Sequence, residues 1–302
     1  MADSPASASG RRILVTGATS LVGDYLLPRL SALGYSVQAV SRRAQPGTPA
    51  GSAAQSTQAP GVTWHSLDLG RELPSPEARA EVLIHLAPLW LLPRVLGIFA
   101  AGGLKRLIAF GSTSRFSKAA SRSPAERKIV QLLTESEQEV TDLCRSKSVA
   151  WTLFRPTLIY GGDRDKNVTA IAALIRRFGF FVVAGVAAGK RQPVHAEDLA
   201  LACLQALDAE ATHGKSYDLS GGTTLTYRQM IEAIFAGLGR QPRILSVPRA
   251  LLRPAARAAA LWSPLAALTP DMIDRMSEDL CFDHEPARRD FGYQPRPFSY
   301  PG

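Results

Sequence analysis

Short runs of apolar residues alternate with stretches of helical periodicity along most of the chain. Ile13-Leu14-Val15 reads as a buried strand and Tyr25 to Leu33 as an amphipathic helix. Val37 to Val40, Val62 to Trp64, Val82 to Ile84, Leu107 to Phe110 and Trp151 to Phe154 continue the strand series. Tyr217 to Leu219 completes it. Helical patterns lie near Leu89–Ala101, Glu126–Cys144 and Ala196–Ala209. Strands separated by helices predict right-handed βαβ units and a parallel sheet. The strands are apolar throughout, as expected when helices cover both sheet faces.

The alternation also suggests boundaries. Residues 1–10 read as a floppy leader with no basic or apolar signal region. Residues 44–61 carry Gly, Pro, Ser, Thr, Ala and Gln, which predicts a flexible loop after strand two. Beyond Arg155-Pro156 the strict alternation fades. The expected division is a nucleotide-binding domain over 11–160 and 192–222, with a smaller C-terminal substrate lobe over 161–191 and 223–302.

Composition narrows the function classes. With 46% hydrophobic and 20% charged residues in 302, the chain is neither disordered nor low-complexity. Cys144, Cys203 and Cys281 are too far apart to make a disulfide framework or a metal cluster. They suggest a reducing, cytoplasmic setting. No apolar run is long enough to span a bilayer. The net charge of +9 fits an anionic ligand or surface, or a general bias toward arginine. No nucleic-acid motif accompanies it.

The first strand runs into Thr16-Gly17-Ala18-Thr19-Ser20-Leu21-Val22-Gly23 and then a helix. Glycine at both ends of such a turn permits close backbone approach, and the helix start offers free N–H groups to a diphosphate. Ser20 stands where a third glycine is usual. At the end of strand two lies Ser41-Arg42-Arg43 in place of an acidic residue that would accept ribose hydroxyls. Arginines there suit a 2′-phosphate, so NADP(H) is favoured over NAD(H); the alternative is a pair of solvated loop arginines. Asp68, followed by Leu69, either accepts from an adenine amino group or caps a turn.

These residues resemble the extended, atypical short-chain dehydrogenase/reductase superfamily in its NAD-dependent epimerase/dehydratase branch. The likeness spans residues 11 to 298. Ile13 to Thr19 resembles the family's opening, and Ile84-His85-Leu86-Ala87, before Pro88, its fourth-strand motif beside the cofactor. Phe154-Arg155-Pro156 with Ile159-Tyr160-Gly161 is similar to its Arg-Pro…Tyr-Gly segment. Pro193 to Ala200 and Asp290 to Pro295 resemble its late motifs. The resemblance implies a Rossmann-type α/β fold, with Leu86, Ala87, Pro88 and Pro156 on the cofactor. It also implies an oxidoreductase or epimerase acting on a hydroxyl or keto carbon, with nucleotide-sugars as the substrate class; a homodimer is compatible with it.

The family's chemistry uses a Ser/Thr after strand five and a Tyr-x-x-x-Lys pair on the next helix. The tyrosine is the acid/base, the lysine lowers its pKa and holds ribose, and the hydroxyl binds the substrate oxygen. Here Ser112 and Thr113 follow strand five, with Thr113 the better match. No tyrosine lies between strands five and six. Counting back from Glu139 as the family's helix glutamate puts Gln131 at the Tyr place and Glu135 at the Lys place. A second register puts Lys128 at the Lys place and Pro124 at the Tyr place. An amide cannot cycle a proton near neutral pH. Candidate replacements are Lys128, Glu126, Glu135, Tyr160 and His195. The simpler roles are a solvated helix face for Lys128, packing for Tyr160 and a helix-start hydrogen bond for His195.

Two apolar stretches remain. Pro88 to Pro93 either lines an apolar substrate pocket or belongs to the core. Val247 to Leu268 repeats Arg249, Arg253 and Arg257 at every fourth position. It reads as a lid helix broken by Pro254 and Pro264, or as a peripheral membrane contact. The competing functions are an NADP(H)-dependent enzyme with an atypical site, acting on a nucleotide-sugar or an apolar ligand, and a catalytically degenerate NADP(H)-binding sensor or scaffold.

Overall fold

The computed structural model describes residues 11–42, 60–75, 79–162, 164–165, 167–252 and 270–301. In the first part of the chain β1 (Arg12–Thr16), α1 (Leu21–Ala32), β2 (Ser36–Ser41), β3 (Val62–Ser66) and β4 (Val82–His85) follow one another. Next come α2 (Pro93–Ala101), β5 (Arg106–Phe110), the short α3 (Ser114–Ser117), α4 (Pro124–Ser146), β6 (Ala150–Pro156) and β7 (Ile159–Tyr160). The second part holds α5 (Val168–Phe178), β8 (Phe181–Ala184), β9 (Lys190–Arg191), β10 (Val194–His195), α6 (Ala196–Leu207) and β11 (Lys215–Leu219). It ends with β12 (Leu225–Thr226), α7 (Tyr227–Gly237), β13 (Ile244–Val247), α8 (Pro270–Arg275) and α9 (Glu285–Phe291).

The expected parallel sheet is present. Its seven strands run β11-β6-β5-β4-β1-β2-β3, and every adjacent pair is parallel. The strand order reverses between β1 and β4, which opens a crevice at their carboxyl ends. All residues of β4 and β5 are buried, including Arg106. Its guanidinium is satisfied by the Ala206 and Leu207 carbonyls and by the Thr152 and Thr212 hydroxyls.

Three cores hold the molecule together. One sheet face packs on α1 and α6, the other on α2 and α4. A third core, built from α5, β8 and α7, makes the smaller lobe. The helix starts follow their capping residues. Ser20 accepts from the Gly23 amide at α1, and the His195 imidazole accepts from the Glu197 amide at α6. Thr226 and Gln229 form a capping box at α7.

The chain's end departs from the expected lobe boundary. Ala287 and Tyr293 join the core on the α1/α6 face, beside Phe291. The Tyr293 hydroxyl donates to the Ser220 carbonyl. The described residues after β13 therefore divide between the two bodies, because an Ala-Phe-Tyr apolar face in α9 and beyond has a sheet face to cover. Of the 44–61 segment, only Pro60 and Gly61 lie within the described residues.

Candidate functional site

The crevice between β1 and β4 opens into three adjoining cavities. The outer one, about 440 Å³, is lined by Gly17, Thr19 and Ser20 of the first turn and by Ser41 and Arg42 after β2. Asp68, Leu69 and Gly70 complete its far wall. It shares Ser20, Leu86, Ala87 and Pro88 with a central cavity of about 530 Å³. That cavity shares Ser112, Ser114, Lys118 and Ile159 with a third, of about 460 Å³, against the smaller lobe.

The outer wall is shaped for a dinucleotide. Gly17 has φ +70°, and a Cβ there would lie 2.4 Å from the Ala87 nitrogen. Glycine thus lets the turn close against the strand-four loop. A Cβ on Gly23 would lie 2.1 Å from the Ala18 carbonyl oxygen, so the second glycine serves turn–helix packing. Ser20 occupies the missing-glycine position as the N-cap of α1. Leu21 and Val22, in the first helical turn, line the central cavity, and helix geometry leaves their N–H groups unpaired within the helix. The residues fit a diphosphate held at a helix start.

Arg42 is exposed at the outer end of this wall, and Ser41 is buried there. Arg43 lies outside the described residues. The Asp68 carboxylate accepts from the Gly70 amide at 2.9 Å, a turn-capping contact made at the cavity wall. Pro156 lines the central cavity.

His85 is fully buried beneath this wall. Its Nδ1 lies 2.7 Å from the Thr16 hydroxyl and its Nε2 3.3 Å from the Pro88 carbonyl oxygen. One arrangement satisfies both: Thr16 donates to Nδ1, and Nε2–H donates to Pro88. Burial pushes the imidazole down to about 4, so it is neutral at physiological pH. Neutral His85 pins the 86–88 loop that lines both cavities.

The chemistry end differs from the expected arrangement. The helix glutamate that answers the Arg-Pro motif is Glu137, not Glu139. Glu137 is buried and accepts from the Arg155 Nε and Nη2 at 3.0 and 2.7 Å, while Glu139 is exposed. Arg115 also pairs with Glu137. Counting back four and eight from Glu137 gives Leu133 and Ile129, and these two residues of α4 line the central cavity. In a register counted from Glu137, the Tyr and Lys places that the resemblance implies would both be apolar. Gln131 and Glu135 bond each other on the exposed face at 2.7 Å. Lys128 is exposed and lines none of the three cavities.

Thr113 is buried, and its hydroxyl donates to the Pro156 carbonyl at 3.0 Å. Ser112 reaches both inner cavities, and its oxygen accepts from the Ser114 amide. Tyr160 is buried between the rings of His195 and Phe298, and burial raises its pKa. His195 is lowered by burial and then by Arg296, and its capping bond occupies Nδ1.

Sequence reasoning missed Lys118. It lies at the junction of the two inner cavities, 3.0 Å from Glu126, which also binds Arg275 of the smaller lobe at 2.7 Å. Its only signal was a lysine soon after the Ser-Thr-Ser run. The third cavity is also lined by Arg191 and Arg275. Arg191 is buried and spends its guanidinium on the carbonyls of Lys190, Glu278 and Arg275.

This architecture is a Rossmann-type α/β fold with a smaller lobe beside its crevice. Residues 13–89 match the family model described as the NAD dependent epimerase/dehydratase family, which bears out the resemblance read from the motifs. Over 161 residues the chain is 33% identical to a 2-alkyl-3-oxoalkanoate reductase of Stenotrophomonas maltophilia (strain K279a), covering 49% of this chain and 48% of that protein. It is 29% identical over 98 residues to a mitochondrial NADH dehydrogenase (ubiquinone) 1 alpha subcomplex subunit 9 of Arabidopsis thaliana, covering 32% of this chain and 24% of that one. The chain thus spans half or less of the length of these curated relatives. Its fold is similar to UDP-glucose 4-epimerase of Thermotoga maritima, solved with UDP-glucose, with TM-score 0.68, 15% identity and 94% of each chain covered. It is likewise similar to UDP-glucuronic acid 4-epimerase of Bacillus cereus, solved with UDP-glucuronic acid and NAD, with TM-score 0.69, 14% identity and 95% of each chain covered.

Proposed function

We propose that the protein is an NADP(H)-dependent oxidoreductase acting at a keto or hydroxyl carbon of a substrate with a substantial apolar part. The central cavity carries this reading. Its lining beyond the turn is mostly apolar, with Trp90, Phe110, Ile129 and Leu133 around Ser112, Ser114 and Lys118. Such a wall suits an alkyl chain better than a sugar ring, which needs several polar partners. The likeness to a 2-alkyl-3-oxoalkanoate reductase points the same way. The preference for the 2′-phosphorylated cofactor rests on Arg42 and Arg43 in place of an acidic residue. The free, widely separated cysteines agree with a cytoplasmic protein.

Residues Gly17 to Val22 would hold the cofactor, which when bound would supply or accept the hydride. The chain's own part is to hold the substrate and move one proton. Ser112 hydrogen-bonds the substrate oxygen. Lys118, as ammonium, donates to that oxygen during reduction and takes the proton back during oxidation. Glu126 holds Lys118 in place. The apolar side chains of Ile129 and Leu133 exclude water from the reacting carbon. Deuterated NADPH offered with a panel of 2-alkyl-3-oxoalkanoates and, separately, UDP-hexoses tests this. Deuterium in the alkyl product supports the reading, and deuterium only in a sugar overturns its substrate class.

A second reading has a specific observation behind it. The Tyr and Lys places hold isoleucine and leucine, which transfer no proton. A protein that binds NADP(H) without turnover fits that wall and the likeness to an NADH dehydrogenase subunit. Tight NADPH binding with no label transferred to either panel selects it.

A further inference from the structure

The smaller lobe carries a surface that the site does not use. Helix α5 ends at Phe178, and Gly179 in the left-handed conformation turns the chain into β8. Phe178 and Phe180 remain 41% and 39% exposed, with ring centroids 6.2 Å apart. The parallel pairing of β8 with β13 sets Val182 beside Leu245, which is 51% exposed. Val186, just past β8, is 74% exposed. Phe178, Phe180, Val186 and Leu245 are thus exposed apolar side chains on this two-stranded sheet and the turns that flank it.

The segments that carry this patch bear charge of one sign, and the acidic Glu232 of α7, which approaches β13 through Arg228 and Ser246, is paired with Arg228. Arg176 and Arg177 close α5, Arg243 precedes β13, and Arg240 is tied to the end of α5 through the Ile175 carbonyl at 2.8 Å. Arg177 lies over the Phe178 ring at 5.1 Å. Among the described residues none of these four forms an ion pair. The sequence explains why: residues 166–196 and 233–270 contain no Asp or Glu. The described parts of these segments, 167–196 and 233–252, carry this face, and a chain with 26 acidic residues has kept them out of both. The row of arginines at every fourth position from Arg249 is a different feature, since Arg249 pairs with Asp274 and Arg253 and Arg257 lie outside the described residues.

We propose that this face docks on an anionic lipid bilayer. Phe178, Phe180, Val186 and Leu245 would enter the headgroup boundary, and Arg176, Arg177, Arg240 and Arg243 would meet lipid phosphates and carboxylates. Exposed aromatics with an unpaired basic surround are the combination that interfacial binding requires. The contact is peripheral, because no helix among the described residues is long and apolar enough to cross a membrane. The inference does not depend on the catalytic reading.

Flotation of the full chain with vesicles of phosphatidylcholine alone, and of phosphatidylcholine mixed with phosphatidylserine, tests it. Binding is expected to the mixed vesicles only and to weaken with added salt. Arg177→Gln with Arg243→Gln should cut it about 25-fold, at about fivefold per arginine. Phe178→Ser with Phe180→Ser should cut it at least about tenfold. Both variants change exposed side chains, and their unfolding midpoints should match the parent's. Failure to bind mixed vesicles at low salt overturns the proposal, as does binding that neither variant reduces. A second copy as the occupant also overturns it, read as a dimer that the Phe178/Phe180 variant converts to monomer without any vesicle binding in the parent.

Discussion

The two ends of the cleft are made from different materials. At the phosphate end, backbone does the work: a glycine turn, a helix start and the 86–88 loop held by a buried neutral histidine. At the chemistry end, side chains would have to do it, and the face of α4 presents Ile129 and Leu133. A backbone site tolerates sequence change provided its glycines and caps persist. A proton-transfer site is lost by one substitution, so the fold can keep its cofactor wall while the adjoining chemistry changes.

The strongest way to break this contrast is at the turn. Gly17→Val forces a side chain into the 2.4 Å approach to Ala87 at φ +70°. It should abolish NADPH binding and destabilise the fold by about 3–5 kcal/mol, read by fluorescence titration and urea unfolding. Glu137→Ala, leaving Arg155 and Arg115 without their shared carboxylate, should cost about 3–5 kcal/mol. Glu139→Ala should change stability by under about 0.5 kcal/mol. Equal effects would remove the helix register on which the Ile129/Leu133 assignment stands.

Acid should weaken the phosphate end next. His85 titrates at about 4 in the fold, below the ordinary value of 6.5. The unfolded chain therefore binds the proton first as pH falls. Stability is full above about 6.5 and declines between about 6.5 and 4, by up to about 3 kcal/mol. His85→Gln should flatten that decline. Smaller still is Arg42→Ala, which should weaken NADPH by about 1.5–3 kcal/mol and leave NADH nearly unchanged. Equal losses for both cofactors would sink the 2′-phosphate assignment.

The same contrast explains what could be read from the sequence. The strand series, the first turn and the Arg-Pro segment are local patterns, and the structure places them around one crevice. The α4 register was not legible in that way. Glu135, Glu137 and Glu139 are three glutamates at alternate positions, and only burial against Arg155 distinguishes Glu137. Lys118 was missed because it and Ser112 meet only as lining of the same two cavities across the short α3, and its partner Glu126 is also bound by Arg275 of the smaller lobe. The return of α9 to the main sheet is a long-range contact that no periodicity encodes.

The central claim is that proton transfer has moved from the α4 face to Lys118. Single-turnover reduction of a 2-alkyl-3-oxoalkanoate by deuterated NADPH, in Lys118→Met and Lys128→Met side by side, tests it most directly. The account predicts a fall of about 10²–10⁴ in rate for Lys118→Met with NADPH affinity unchanged, and parental behaviour for Lys128→Met. Parental turnover in Lys118→Met, or loss of turnover in Lys128→Met alone, would contradict it.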